Sequence, residues 1–327
     1  MQKKGLLQFL KEIRGVLIML KFDAHTHPIG NQIIKESILS TEQKESIENY
    51  KKRNNMPLGD PKDIATLIES SHLDRAIVLA SDKPYDGSKV HIEIPNELVL
   101  KLCSNHPELL VAVSINPTKP NAAEYLDTLM EKDIERKIAA CKWVPNSLMF
   151  DPSNKEHINF YRRLAFWNLP VITHTGNQHF CYNPNQSYGD PELLKTPLEE
   201  GVRIIGAHCG ADTGNERYFD NFVQMLKQYE NLYTDTSAMI GTTRKPEQLI
   251  YLFSRKDLHH KLIHGSDFPV RPKLKALKNI LPEEIIYDLS LIEENPIQQD
   301  YLCKIAVGAP ESCFSNFERL YNQIKRN

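Results

Sequence analysis

The segment Val16-Leu-Ile-Met-Leu-Lys-Phe-Asp23-Ala-His25-Thr-His27-Pro28 decides how the chain is read. An apolar, β-branched run leads into two histidines one residue apart, and a proline follows. Val16 to Ala24 reads as a strand buried on both faces. Side chains alternate along a strand, so His25 and His27 fall on one side, with Asp23 two residues deeper on that side. Seven more such runs follow: Arg75 to Ala80, Leu109 to Ile115, Ile138 to Val144, Pro170 to Thr175, Val202 to His208, Asn231 to Thr236 and Lys261 to Asp267. Each precedes a segment of helical periodicity. Eight strands alternating with helices predict an α/β fold closed as a (β/α)8 barrel. An open doubly wound sheet has a similar alternation, and the strand count favours the barrel.

The helices carry start signals. Asp60-Pro61 sets a cap and an N1 proline ahead of Ile64, Leu67 and Ile68. Ser153 with Glu156, and Thr213 with Glu216, have the spacing of capping boxes. Phe219, Phe222, Val223 and Leu226 make one apolar stripe, and Phe317, Leu320, Tyr321 and Ile324 make the last. Two connections are long, 28–60 after the first strand and 268–300 after the eighth. In a closed barrel those strands are neighbours, so both insertions are expected to cap the same mouth.

No Gly/Ser linker divides residues 19–327, which are read as one domain. Residues 1–18 are read as an N-terminal extension. Lys11, Glu12 and Arg14 interrupt its apolar Leu6 to Leu10 run before a signal-peptide core can form. No run reaches transmembrane length. The six cysteines include no Cys-x-x-Cys pair, which argues against a zinc knuckle or a disulfide scaffold and for reduced thiols in a cytoplasmic protein. A formal charge of −2 gives no basic surplus for a nucleic acid, and 41% hydrophobic residues suffice for a sizeable core.

The chemistry gathers at strand ends. His25 and His27 end the first strand, His174 the fifth, His208 the sixth and Asp267 the eighth. In a parallel barrel these ends open onto one face, where active sites form. A lone strand-end histidine is more often a hydrogen-bonded core or surface residue. His-x-His joined by a third imidazole and a carboxylate instead suits zinc or a similar divalent ion, with positions left for water. His208 is either a further ligand or an unbound general acid/base, and the second role is preferred because imidazole exchanges protons near neutrality.

Lys142, ending the fourth strand, is a substrate-binding ammonium, an ion-pair partner, or a carbamylated bridge to a second metal, the last being the minority reading. Asp235, ending the seventh, is a loop-capping carboxylate or a partner orienting a ligand. His264, three residues before Asp267, is expected to face the helix layer, and Cys209 to pack outward. His179, Tyr182, Tyr188 and Arg271 occupy loops that border the mouth; His179 and Arg271 are candidate substrate contacts, although loop surface is the plain alternative.

At these residues the chain resembles the amidohydrolase superfamily, specifically the amidohydrolase-related group that includes aminocarboxymuconate-semialdehyde decarboxylase. The motifs are Asp23-Ala-His25-Thr-His27-Pro28, Val171-Ile-Thr-His174-Thr-Gly176, Gly206-Ala-His208-Cys-Gly210 and His264-Gly-Ser-Asp267-Phe-Pro269, with Tyr188-Gly-Asp-Pro191 and Tyr233-Thr-Asp235-Thr in support. The glycine-rich stretch after His208 is only partial, and the segment around Lys142 is not diagnostic. The resemblance spans Met19 to the last helix. It implies a distorted TIM-like barrel with one divalent metal ion, usually zinc, held by His25, His27, His174 and Asp267, with His208 catalytic.

Two activities are open to such a group. The first is hydrolysis of a small amide, ester or lactone, with Asp267 or His208 moving the proton. The second is non-hydrolytic decarboxylation of a small unsaturated or aromatic acid. A small-molecule substrate, no nucleic-acid or membrane partner, and a homodimer are the matching expectations.

Overall fold

Each of the eight apolar runs contains a strand: β1 (Phe22–Thr26), β2 (Arg75–Leu79), β3 (Leu109–Ser114), β4 (Ile138–Trp143), β5 (Val171–His174), β6 (Ile204–Ala207), β7 (Leu232–Asp235) and β8 (Leu262–Ile263). The computed structural model describes residues 19–36, 43–45, 47–48, 52, 59–85, 92–180, 184–212, 214–241 and 243–326. The extension over 1–18, Cys181, Tyr182 and Thr213 lie outside them. All neighbouring strands pair in parallel, in sequence order from β1 to β8. The seam between β8 and β1 is joined by backbone hydrogen bonds from Ala24 N to His264 O (2.9 Å), His27 N to Phe268 O (2.6 Å) and Asp267 N to His25 O (2.9 Å). The barrel is thereby nearly closed.

Helices fill the connections: α1 (Asn31–Glu36) and α2 (Pro61–Glu69) after β1, α3 (Asn96–Cys103) after β2, and α4 (Ala122–Lys132) after β3. Next come α5 (Pro145–Leu148) and α6 (Ile158–Trp167) after β4, α7 (Lys195–Glu199) after β5, α8 (Glu216–Gln228) after β6 and α9 (Pro246–Ser254) after β7. Finally α10 (Glu283–Ser290), α11 (Pro296–Ala306) and α12 (Ser312–Asn322) follow β8. Among the described residues no helix is long and apolar enough to cross a membrane. The five described cysteines are free and buried.

Strand alternation sorts the core into two layers. Phe22, Ala24, Ile77, Leu79, Leu110, Ala112, Ala140, Ile172, Ile205 and Ile263 fill the barrel interior. Their neighbours, among them Ala76, Val78, Val111, Val113, Cys141 and Leu232, pack outward against the helices. Phe317 and Leu320 of α12 belong to the interior layer, and the Phe22 and Phe317 rings lie 5.4 Å apart. These side chains stopper the N-terminal end of the barrel, which leaves the other end for chemistry. Ile29, Ile33, Ile34 and Ile47 from the first long connection share a cavity wall with Pro269, Val270 and Arg271 from the last, so both insertions meet over that mouth.

Several details depart from expectation. The strand expected over Lys261 to Asp267 stops at Ile263, and Asp267 lies in the following loop with a left-handed backbone (φ 66°). Asp23 does not share a face with His25. The β1–β2 register slips between Asp23 and Thr26, and Phe22 and Ala24 occupy the interior positions. The cap expected at Ser153 falls one residue later: Asn154 Oδ1 accepts from Glu156 N, because the Ser153 hydroxyl is engaged by Asp151. Helix α8 is entered from Asn215 without a side-chain cap. The Tyr188–Pro191 stretch forms tight 3-10 turns ahead of α7. The cap and N1 proline read at Asp60-Pro61 are present, and Asp63 Oδ2 accepts from Asp60 N at 3.1 Å.

Candidate metal centre

The slip in β1 aims its histidines. Thr26 turns outward and its hydroxyl donates to Ile77 O at 2.8 Å, leaving His25 and His27 to face the mouth. Asp267 arrives from across the seam, its backbone N–H bonded to His25 O. Between them Gly265 runs so close to β1 that a Cβ there would lie 2.7 Å from the Cβ of His25. Only glycine lets the two segments converge.

His25 Nε2 and His27 Nε2 are 3.2 Å apart, and Asp267 Oδ1 is 3.3 Å from the first and 3.2 Å from the second. Ligands at about 2.0–2.1 Å from a tetrahedral ion stand about 3.3–3.4 Å from one another, so this triangle has the size a zinc-like ion requires. These are the described residues whose donor atoms cluster closely enough to hold a metal.

Hydrogen bonds prepare the imidazoles. His25 Nδ1 donates to Asp235 Oδ2 at 2.7 Å, which fixes the tautomer and turns the Nε2 lone pair toward the triangle. Asp235 is both things the sequence allowed. Besides orienting His25, it accepts from the backbone N–H of His208 (3.1 Å) and Ser237 (3.0 Å) and from the Ser237 hydroxyl (2.5 Å).

His208 lies just past β6 in a left-handed turn shared with Cys209 and Gly210. Left-handed non-glycine residues cost roughly 1–2 kcal/mol each, and Thr175 offsets this by donating to Ala207 O (2.5 Å) while accepting from Gly210 N (2.8 Å). His208 Nδ1 donates to Ser237 O at 2.7 Å, leaving Nε2 as a free base. Its ring centroid is 5.6 Å from that of His25 and 5.2 Å from that of His174. His174 lines the same cavity but stands outside the triangle, its Nε2 donating to Asn177 O at 3.2 Å.

Burial governs ionisation here. It pushes His27 down to about 4 and His208 to about 3, the latter helped by the Arg244 charge, and holds His174 well below the usual imidazole range. All three are neutral near pH 7, the form a metal ligand or a base requires. Burial also lowers Lys142 to about 8, against the pull of Asp235 and Asp267. Its Nζ lies 3.2 Å from His25 Nε2, at the floor of the cavity.

The cavity has a volume of about 220 Å³. His179 and Arg271 border it; His179 Nε2 is 3.2 Å from Asp212 Oδ2, and Arg271 donates to Glu293 O. His264 packs on Tyr301 and Phe314 in the helix layer, and Cys209 packs outward, both as read from sequence. Sequence reasoning missed Ser237, which bridges Asp235 and the two histidines, and Arg244, which lines the cavity. The position of Ser237, two residues past the end of β7, was the signal for it. Arg244 lies beyond β7 in a loop and carries no motif.

A family model described as amidohydrolase matches residues 22–289. A comparison with curated proteins finds no match. Among solved structures, an uncharacterised TIM-barrel protein from Bordetella bronchiseptica aligns at TM-score 0.62 and 16% identity, covering 94% of this chain and 99% of its own. A structure described as a probable 2-pyrone-4,6-dicarboxylic acid hydrolase from Acinetobacter baumannii aligns at 0.58 and 14%, covering 93% and 100%. The 5-carboxyvanillate decarboxylase of Sphingomonas paucimobilis aligns at 0.51 and 11%, covering 91% and 99%. At these identities the likeness is one of fold.

Proposed function

The chain belongs to the amidohydrolase family, and from that premise we propose that it is a hydrolase that uses one divalent metal ion, zinc by its donor set, to add water to a small amide, ester or lactone. The observation that carries this reading is the triangle of His25, His27 and Asp267 donor atoms with the unprotonated Nε2 of His208 beside it. The three residues of the triangle would hold the ion, and His174 is the next nitrogen available to it. When bound, such an ion supplies Lewis acidity and a nucleophile at neutral pH.

The protein's own groups do the rest. His208 Nε2 accepts a proton and returns it to the leaving group, and the Ser237 carbonyl on Nδ1 stabilises the charged ring meanwhile. Asp267, a carboxylate at the same centre, is the alternative proton carrier. Lys142, Arg244 and Arg271 give the cavity positive charge, while Ile29, Ile33 and Ile34 make an apolar wall. That combination favours a small anionic substrate with an apolar body. The fold shared with a probable pyrone dicarboxylic acid hydrolase supports a lactone among the options.

The same cations also suit a second reading, decarboxylation of a small unsaturated or aromatic acid, supported by the fold shared with 5-carboxyvanillate decarboxylase. A mass-spectrometric metabolite screen on zinc-loaded protein separates the two: products gain water in one case and lose carbon dioxide in the other. With a substrate in hand, His208→Asn is expected to lower kcat by about 10²–10⁴-fold while zinc affinity stays within a few fold. An unchanged kcat would remove His208 from the chemistry.

A further inference from the structure

On the helix side of the β8–β1 seam lies an ion pair that the proposed chemistry does not use. Asp300 and Lys304, one turn apart on α11, are 2% and 0% exposed, with Nζ 2.5 Å from Oδ2. Burying two charges costs more than their attraction commonly returns, and apolar side chains of similar volume usually serve stability as well or better. The pair therefore calls for a reason beyond stability.

Lys304 Nζ makes a second bond, at 2.7 Å, to the backbone carbonyl of Gly265. Gly265 is the residue that cannot carry a side chain, because a Cβ there would meet His25 at 2.7 Å and Ser237 at 3.3 Å. The next residue, Ser266, gives its N–H to Asp23 Oδ1 at 2.8 Å. The one after is Asp267, in a left-handed conformation and bonded to His25 O. The loop that delivers the carboxylate is thus held from outside by Lys304 and Asp23, and from inside by His25.

We propose that Lys304, oriented by Asp300, is a positioning residue for the metal centre: its grip on the Gly265 carbonyl sets the Asp267 carboxylate against the His25 and His27 imidazoles. The proposal rests on the metal reading above. It is tested by measuring zinc affinity, through chelator competition, together with Tm for the wild type, Lys304→Met, and the double variant Asp300→Leu/Lys304→Met.

The single variant strands a buried carboxylate, so it is expected to lose both stability and zinc affinity. In the double variant the stranded Asp300 carboxylate is gone, and only the buried Asp23 carboxyl still loses the nearby Lys304 charge. Its Tm is expected to return toward the wild-type value while zinc affinity stays about tenfold or more weaker, as for loss of a residue that orients a metal ligand. A double variant that binds zinc as tightly as a zinc-binding wild type overturns the positioning role and leaves the metal reading intact. A folded wild type that binds no zinc overturns both.

Discussion

His264 shows what one residue's surroundings dictate. It is fully buried between the seam and α11 and α12, and neither ring nitrogen has a hydrogen-bond partner among the described residues. Burial, aided by the Lys304 charge, holds it well below the usual imidazole range. Because the folded-state value is lowered, the unfolded chain binds this proton first. The stability His264 contributes is present above about pH 6.5 and is lost as pH falls below it, at up to about 1.4 kcal/mol per pH unit. Leucine has nearly the same volume and no polar atoms to strand. His264→Leu is therefore expected to match the wild type within about 1 kcal/mol at pH 8 and to lose less stability between pH 6.5 and 5. Urea titrations at the two ends of that range decide it; parallel acid losses in both proteins would show that His264 is not a source of the sensitivity.

At the scale of the element, β6 and α8 meet where Gly206 faces Phe222. A Cβ on Gly206 would stand 2.2 Å from two atoms of that ring. Gly206→Ala should cost about 1–3 kcal/mol by overpacking, and adding Phe222→Leu should recover part of the lost Tm. If Gly206→Ala melts with the wild type, the packing described here is wrong. The stripe containing Phe222 was readable in the sequence because helical periodicity survives any tertiary context, and the Asp60 cap was readable because the N1 proline that marks it is the next residue. The alternation of apolar runs with helices gave the fold class, and the count of eight strands favoured the barrel order over an open sheet.

What depended on distant partners was not readable. The early end of β8 follows from the Asp23, His25 and Lys304 contacts that draw residues 265–267 out of the strand path. The slip in β1, which takes Asp23 off the histidine face, exists only against β2. The left-handed turn carrying His208 depends on the Thr175 hydroxyl, thirty-odd positions earlier in the chain. The donors themselves were legible as residue types at strand ends; their grouping as three together and His174 apart required the fold.

For the whole molecule, the place of the triangle matters as much as its chemistry. The β8–β1 seam lacks the strand pairing that joins the other seven junctions and is held by the three backbone bonds already described. His25 and His27 stand on one side of it and Asp267 on the other. An ion shared by these residues, as proposed, would tie the first strand to the last, so its binding energy would act where the barrel is least well paired. A ligand at a hundredfold excess over its Kd stabilises the native state by about 2.7 kcal/mol, and local opening of the seam is where that energy acts first. Hydrogen exchange with and without zinc should therefore show the largest added protection at the amides of Ala24, His27 and Asp267. The amides of Val111 and Cys141, which donate across the β3–β4 and β4–β5 junctions, should change least. Equal protection at all five would mean that the ion stabilises the barrel globally and not through the seam; protection confined to the His208 turn would move the ion away from the triangle altogether.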